Sequence, residues 1–115
     1  REALTLARGL EIDRARMRHN LDATQGLIFA DAVASLLARS IGADKAHHLV
    51  AQGADRVRET GQPLQVVLPS LPDWPPSVSA EQLAACFDIT PAVKAAAHCV
   101  PDAVARAQHC LALCQ

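Results

Sequence analysis

Apolar residues recur along this chain at helical spacing rather than in strand-like alternation, and the polar residues between them mark where helices begin and end. The stretch RMRHNLDATQGLIFADAV, Arg16 to Val33, opens basic and then turns almost wholly apolar. Asp22 with Gln25 three residues on has the form of a capping box, and Thr24 is a competing cap. The pattern therefore predicts a helix from about residue 24 to Ile41, stopped by Gly42. Its strongly polar positions, Asp31, Ser35 and Arg39, fall at i, i+4 and i+8, one narrow stripe of the helix surface. A helix apolar around the rest of its circumference has to be sheathed by other helices, so this is the expected central helix. Ala30, Ala34 and Ala38 form a small-residue row that admits a close neighbour, while Phe29, Val33, Leu36 and Leu37 supply bulk.

Other elements follow from the same reading. Ala3 to Leu10 is the tail of a helix, closed near Gly9 by an expected left-handed residue and too short to stand alone. Asp13 caps a helix with Ala15, Met17 and Leu21 inward and Arg14, Arg16 and Arg18 solvated. Asp44 is the expected cap of a helix ending at Gly61, with Ala46, Leu49, Val50, Gly53 and Val57 on the buried side and His48, Gln52, Asp55, Arg56 and Glu59 outside. Pro63 starts a turn or two in which Leu64, Val67 and Leu68 share a face. Pro69, Pro72, Pro75 and Pro76 forbid continued helix and predict an extended surface loop, the least ordered part of the chain, with Trp74 pinning it to the body. Ser79 with Gln82 forms a second capping box, ahead of Leu83, Cys86 and Phe87. Thr90 and Pro91 predict a short helix, and Pro101 with Asp102 a last one carrying Val104, Ala107, Leu111 and Cys114 inward.

Composition sharpens this to an all-α fold: a compact bundle of about five to seven helices around the central one. Half of the 115 residues are hydrophobic but only 3% are aromatic, so the core has to be built from Leu, Val, Ile and Ala, which favours close-packed helices over a β-sandwich. That length makes one domain. A formal net charge of −1, with both signs spread along the chain, leaves no footprint for nucleic acid or an anionic membrane as partner. No apolar run approaches the roughly 18 residues of a membrane span and no signal-peptide layout opens the chain, so a cytoplasmic location is expected. Cys86, Cys99, Cys110 and Cys114 are irregularly spaced, as reduced, buried thiols rather than a disulfide framework would be.

Candidate chemistry is thin. Cys110 and Cys114 stand one turn apart, and with His98, Cys99 or His109 they form a possible zinc ligand set; against it, Cys114 lies almost at the chain end and free cysteines commonly pack as small hydrophobes. His47 and His48 are about 100° apart on a helix and cannot both face one ligand, which puts one at the buried boundary. His19 has no nucleophile in a local motif beside it and reads as a solvated helix position. No phosphate-cradling glycine loop, HExxH or GxSxG occurs. Composition and spacing thus assign no catalytic, cofactor-binding or metal-binding residue, and no cofactor.

From Gly9 to Val50 the chain reads GLEIDRARMRHNLDATQGLIFADAVASLLARSIGADKAHHLV. This resembles the C-terminal region of the fumarase/aspartase superfamily, whose pattern GLxxDxxRMxxNLDxTxGLIxAxxV is followed by a helix carrying AHxLV. The 3-carboxy-cis,cis-muconate cycloisomerase branch is most similar, then the adenylosuccinate lyases. Weaker similarity runs through ETGQPLQVVL to LAACFD, and the tail after Asp88 departs, reading ITPAVKAAAHCV in place of a turn with Tyr-Leu-Gly. The resemblance implies that residues 1–10 are the end of a helix truncated from a missing central domain, and that residues 11–115 are the C-terminal helical domain, with a proline-rich loop at 69–78. It implies a homotetrameric parent enzyme, with the rest of that enzyme as partner, acting by proton transfer next to a carboxylate in aromatic-acid breakdown. The family's GSSxMPxKxNP loop, which carries its catalytic serine, has no counterpart here, so the fragment is expected to be inert. Two rivals are the same domain of adenylosuccinate lyase or a related lyase, and a stand-alone interaction module using Leu4, Leu6 and Leu10.

Overall fold

The computed structural model describes residues 1–114. Among them are seven α-helices: α1 (Glu2–Arg8), α2 (Arg14–Ala23), α3 (Ala30–Ile41), α4 (Ala43–Thr60), α5 (Leu64–Val67), α6 (Ala80–Cys86) and α7 (Thr90–Leu113), with 3-10 turns at Leu27–Phe29 and Leu68–Ser70. The fold is all-α, as composition and periodicity require. Its core lies between α3 and α4, closed by α5, the following turn and α6, and comprises Val33, Leu37, Leu49, Val57, Leu64 and Leu68 with Ala34, Ala46, Val50, Val67, Leu71, Val78 and Leu83.

Helix α4 matches its sequence pattern position by position, with Ala46, Leu49, Val50, Gly53 and Val57 buried. Gly61 ends it in a left-handed conformation (φ 70°), its N–H donating to the Val57 carbonyl. Gly53 has a packing role, because a Cβ there would lie 2.6 Å from Leu68 Cδ2 and 3.1 Å from Leu64 Cδ1. That notch lets Leu64 and Leu68 come down onto the helix, so both are fully buried. The Ser79–Gln82 capping box is present in full, the Ser79 hydroxyl accepting from Gln82 N and the Gln82 amide oxygen from Ser79 N.

Several expectations are corrected. The Asp22–Gln25 capping box does not form: α2, capped by Asp13, runs on to Ala23, and Asp22 accepts from Arg18 instead. Gln25 (φ 51°) and Gly26 (φ 85°) then turn the chain in left-handed conformations, and the next segment, Leu27–Ile41, leaves at 77° to α2. Helix α3 is less enclosed than predicted, with Val33, Ala34 and Leu37 buried, Leu36 and Ala38 half-buried, and Ala32 and Ser40 exposed beside the Asp31–Ser35–Arg39 stripe. The helices that would have sheathed its outer side, α1, α2 and α7, bury no residue and project from the bundle, giving a body 64 Å long and 28 by 22 Å across. Met17 and Ala15 are accordingly exposed, and Leu21 half-buried. Gly9 follows α1 with φ −90° rather than left-handed. Gly42, not Asp44, occupies the cap position of α4; Asp44 sits in the first turn, where its charge favours the helix N-terminus.

The proline-rich loop is not extended. Successive backbone bonds from Leu71 to Leu68, Trp74 to Leu71 and Val78 to Pro75 fold it into turns, with Leu71, Pro75 and Val78 buried and Trp74 packed on the core. Pro101 does not start a helix either. It lies inside α7, a single 24-residue helix on which Val104, Ala107 and Leu111 are exposed, as is Cys114 just beyond its end. Nor are the thiols buried: Cys99, Cys110 and Cys114 are exposed on or beside α7, and Cys86 is half-buried. The stretch Ala80–Leu113 is, by length and composition, long and apolar enough to cross a membrane, although polar residues interrupt its apolar run.

Leu37 has no solvent exposure and faces α4. Replacing it with Ala is expected to lower unfolding free energy by about 2 to 5 kcal/mol. The same truncation at exposed Leu113 should change it by less than about 0.5 kcal/mol, both read from urea denaturation.

Candidate functional site

Two surface concavities lie near the residues that sequence reading singled out. The first is an open cleft of about 310 Å³ where the end of α2 meets the bundle, lined among others by Arg18, Asp22, Gln25, Phe87 and Ile89. Its geometry is that of a joint. The Gln25 carbonyl accepts from Leu64 N (2.9 Å), and its side-chain amide donates to the Gly61 carbonyl (3.0 Å), so one residue ties the α2 end to the loop after α4. Gly26 passes so close to the Phe87 ring that a Cβ would lie 2.8 Å from it. Phe87 in turn meets Phe29 edge-on, with centroids 5.5 Å apart.

The cleft's charges are already matched. Arg18 Nε lies 3.1 and 3.3 Å from the two Asp22 oxygens, an i,i+4 pair whose side chains are both mostly exposed. Such a pair adds little to stability in water. No serine or cysteine lines this cleft, and its one carboxylate, Asp22, is paired with Arg18, so the arrangement holds two segments together.

The second concavity, of about 530 Å³, runs beside α4 and is lined by Ile41, Asp44, Lys45, His48, Gln52 and Asp73, with Leu49 at its base. His48 Nε2 and Gln52 Nε2 are 3.1 Å apart, a contact that requires the ring nitrogen to accept when the amide nitrogen donates. It too has lining groups of both charges and no serine or cysteine.

The cysteine and histidine candidates do not assemble. Cys110 and Cys114 are one turn apart, the Cys114 N–H donating to the Cys110 carbonyl at 3.2 Å. Among the described residues, however, no three His, Cys, Asp or Glu side chains come together to hold a metal. His19, His47, His48, His98 and His109 are all exposed, so neither member of the adjacent pair sits at a buried boundary. Cys86 contacts the carbonyls of Gln82 and Ala32, and burial pushes its thiol up from the ordinary value. A thiol so placed is less ionised and less reactive.

Asp88, where α6 gives way to α7, is the other perturbed group. Hydrogen bonds from the Thr90 side chain and backbone N–H (2.9 Å), with a smaller contribution from Lys94, hold its carboxyl below the usual range. Joint residues Gln25, Gly61, Phe87 and Ile89 were not singled out from sequence as cleft-lining groups. The available pointer was the TQG turn, where a left-handed pair interrupts two helices.

The chain is 47% identical over 83 residues to a 3-carboxy-cis,cis-muconate cycloisomerase of Pseudomonas putida, which covers 72% of this chain and 20% of that protein. A protein of the same name from Bradyrhizobium diazoefficiens is 43% identical over 83 residues, 72% of this chain and 18% of its own. A nitrosuccinate lyase of Streptomyces davaonensis is 33% identical over 102 residues, 89% of this chain and 22% of its own. The chain thus spans about one fifth of the length of the curated relatives it matches. These relatives bear out the resemblance to the cycloisomerase branch drawn from Gly9 to Val50. No known family profile matches the chain, and no solved structure is significantly similar to it.

Two outcomes are expected from the site. Gly26→Ala combines an unfavourable left-handed backbone, costing about 1 to 2 kcal/mol, with a contact against Phe87, so urea unfolding should show a loss of at least that size. For Asp88 the folded value is depressed; its contribution is present above the unfolded pKa and is lost as pH falls through the folded one. Amide protection in the first turn of α7, taken relative to the intrinsic exchange rate at each pH, should therefore fall on acidification through the depressed Asp88 value, and Asp88→Asn should flatten that dependence.

Proposed function

We propose that this chain is the C-terminal helical domain of a 3-carboxy-cis,cis-muconate cycloisomerase-like enzyme and is catalytically inert by itself. The observation that carries this reading is the 47% identity reaching across 72% of this chain but only 20% of the P. putida protein. Two features agree with it. Neither cleft is lined by a serine or cysteine, and Leu4, Leu6, Leu10, Ile12 and Met17 on and around α1 and α2 stay exposed, as the near side of a larger body would when separated from it. On this reading the domain's task is structural: the α3–α4 core carries it, and the Gln25–Gly26 joint sets the direction in which α2 leaves toward the remainder of the enzyme. The parent would be a cytoplasmic homotetramer of aromatic-acid breakdown, its substrate bound by residues outside this chain.

A lyase of the same superfamily is the second reading, and one observation favours it. The nitrosuccinate lyase aligns over more of this chain, 89%, although at lower identity. A free-standing interaction module is the third; it shares the exposed α1 and α2 side chains as its support.

The test is a chimera in which this chain replaces the matched fifth of the P. putida enzyme. Turnover of 3-carboxy-cis,cis-muconate by the chimera, with none by the isolated 115-residue chain, is the expected result. Turnover by the isolated chain overturns the inert-domain reading. A folded chimera that processes only the lyase's substrate transfers the assignment to the second reading.

A further inference from the structure

Helix α7 buries no residue against this chain, yet it is not uniformly coloured around its circumference. Val93, Ala97, Val100, Val104, Ala107, Leu111 and Cys114 follow alternating steps of four and three residues, which puts them within about 100° of one another on a helix of 3.6 residues per turn. His98, Asp102, Arg106 and His109 take the opposite side. Val100 is 60% exposed and Leu111 66%, so the whole stripe meets solvent. A strict two-per-heptad stripe is narrower than a core-facing helix needs and fits one partner helix.

The stripe also carries its own complement. Run antiparallel against a second copy about a two-fold axis at Asp102, it pairs Val93 with Leu111, Ala97 with Ala107 and Val100 with Val104, then repeats these pairs in reverse. Large side chains meet large and small meet small at every layer, the self-matching that an isologous contact requires. Charge agrees. The last turn of α7 has no basic residue of its own to offset its exposed carbonyls. In this arrangement Lys94 of each copy lies level with Cys110 of the other, beside those carbonyls.

We propose that α7 is a homotypic docking helix, pairing antiparallel with α7 of a second copy of this chain through the Val93–Leu111 stripe. The apolar window across Ala80–Leu113 gives a bilayer as the rival occupant. A span within this stretch would still carry up to two charged side chains into hydrocarbon, whereas pairing leaves every charge of α7 in water.

Sedimentation of the 115-residue chain under reducing conditions, from micromolar to submillimolar concentration, tests the pairing. The mass should rise toward twice the 12.2 kDa of the single chain. Val104→Glu should hold it at the single-chain mass, Ala105→Glu on the outer side should not, and the thermal unfolding of the bundle should be the same in all three. Direction is read by disulfide formation with the four native cysteines replaced by Ala: Val100→Cys with Val104→Cys in one chain should give a covalent dimer on oxidation, and Val100→Cys alone should not. A chain that stays at 12.2 kDa throughout, whether or not it floats with phosphatidylcholine–phosphatidylglycerol vesicles, overturns the proposal, as does a Val104→Glu variant that still dimerises. Cross-linking of the Val100→Cys variant alone overturns the antiparallel arrangement. None of these results bears on the chimera's turnover, so this proposal and the enzymatic reading fail separately.

Discussion

The structure depends on Leu64 and Leu68 reaching the surface of α4 at Gly53. Helices α3 and α4 follow one another with only Gly42 between them, and alone they would leave one side of their contact open to water. The chain after α4 closes that side, and it closes because Gly53 presents no side chain where the two leucines arrive. With them seated, Val33, Leu37, Leu49 and Val57 are at most 2% exposed, and the proline-rich loop has a surface on which to anchor Leu71, Pro75 and Val78. Burial of this kind is the dominant favourable term in folding.

What could be read in the sequence divides along the same boundary. Helix α4 was legible because its pattern, its terminating Gly61 and its neighbours all act within the bundle. The capping box at Ser79 was legible because both of its bonds are local. The same three-residue spacing at Asp22 misleads, since Gln25 is claimed by the Gly61 carbonyl from 36 residues away and adopts a left-handed backbone that a helix cannot continue through. Pro101 misleads differently. A proline favours a helix start, but α7 takes it in mid-helix and forgoes one backbone bond there.

The first cleft was not legible as a unit. Its walls come from α2, the TQG turn, the loop after α4 and the end of α6, and no short-range spacing joins them. The inward assignment on α7 was half right in an instructive sense: Val104, Ala107 and Leu111 do share a side, but periodicity says only that a side is apolar, not which molecule covers it. The thiols were misplaced for the same reason.

That α1, α2 and α7 bury nothing has a consequence for how such a chain tolerates change. Substitutions along these arms escape the penalty that any alteration at Leu37 or Leu68 incurs, so the requirement to stay folded does not police their composition. A tail that reads ITPAVKAAAHCV can wander far from a relative's wording while the bundle beneath it is held to a narrow vocabulary.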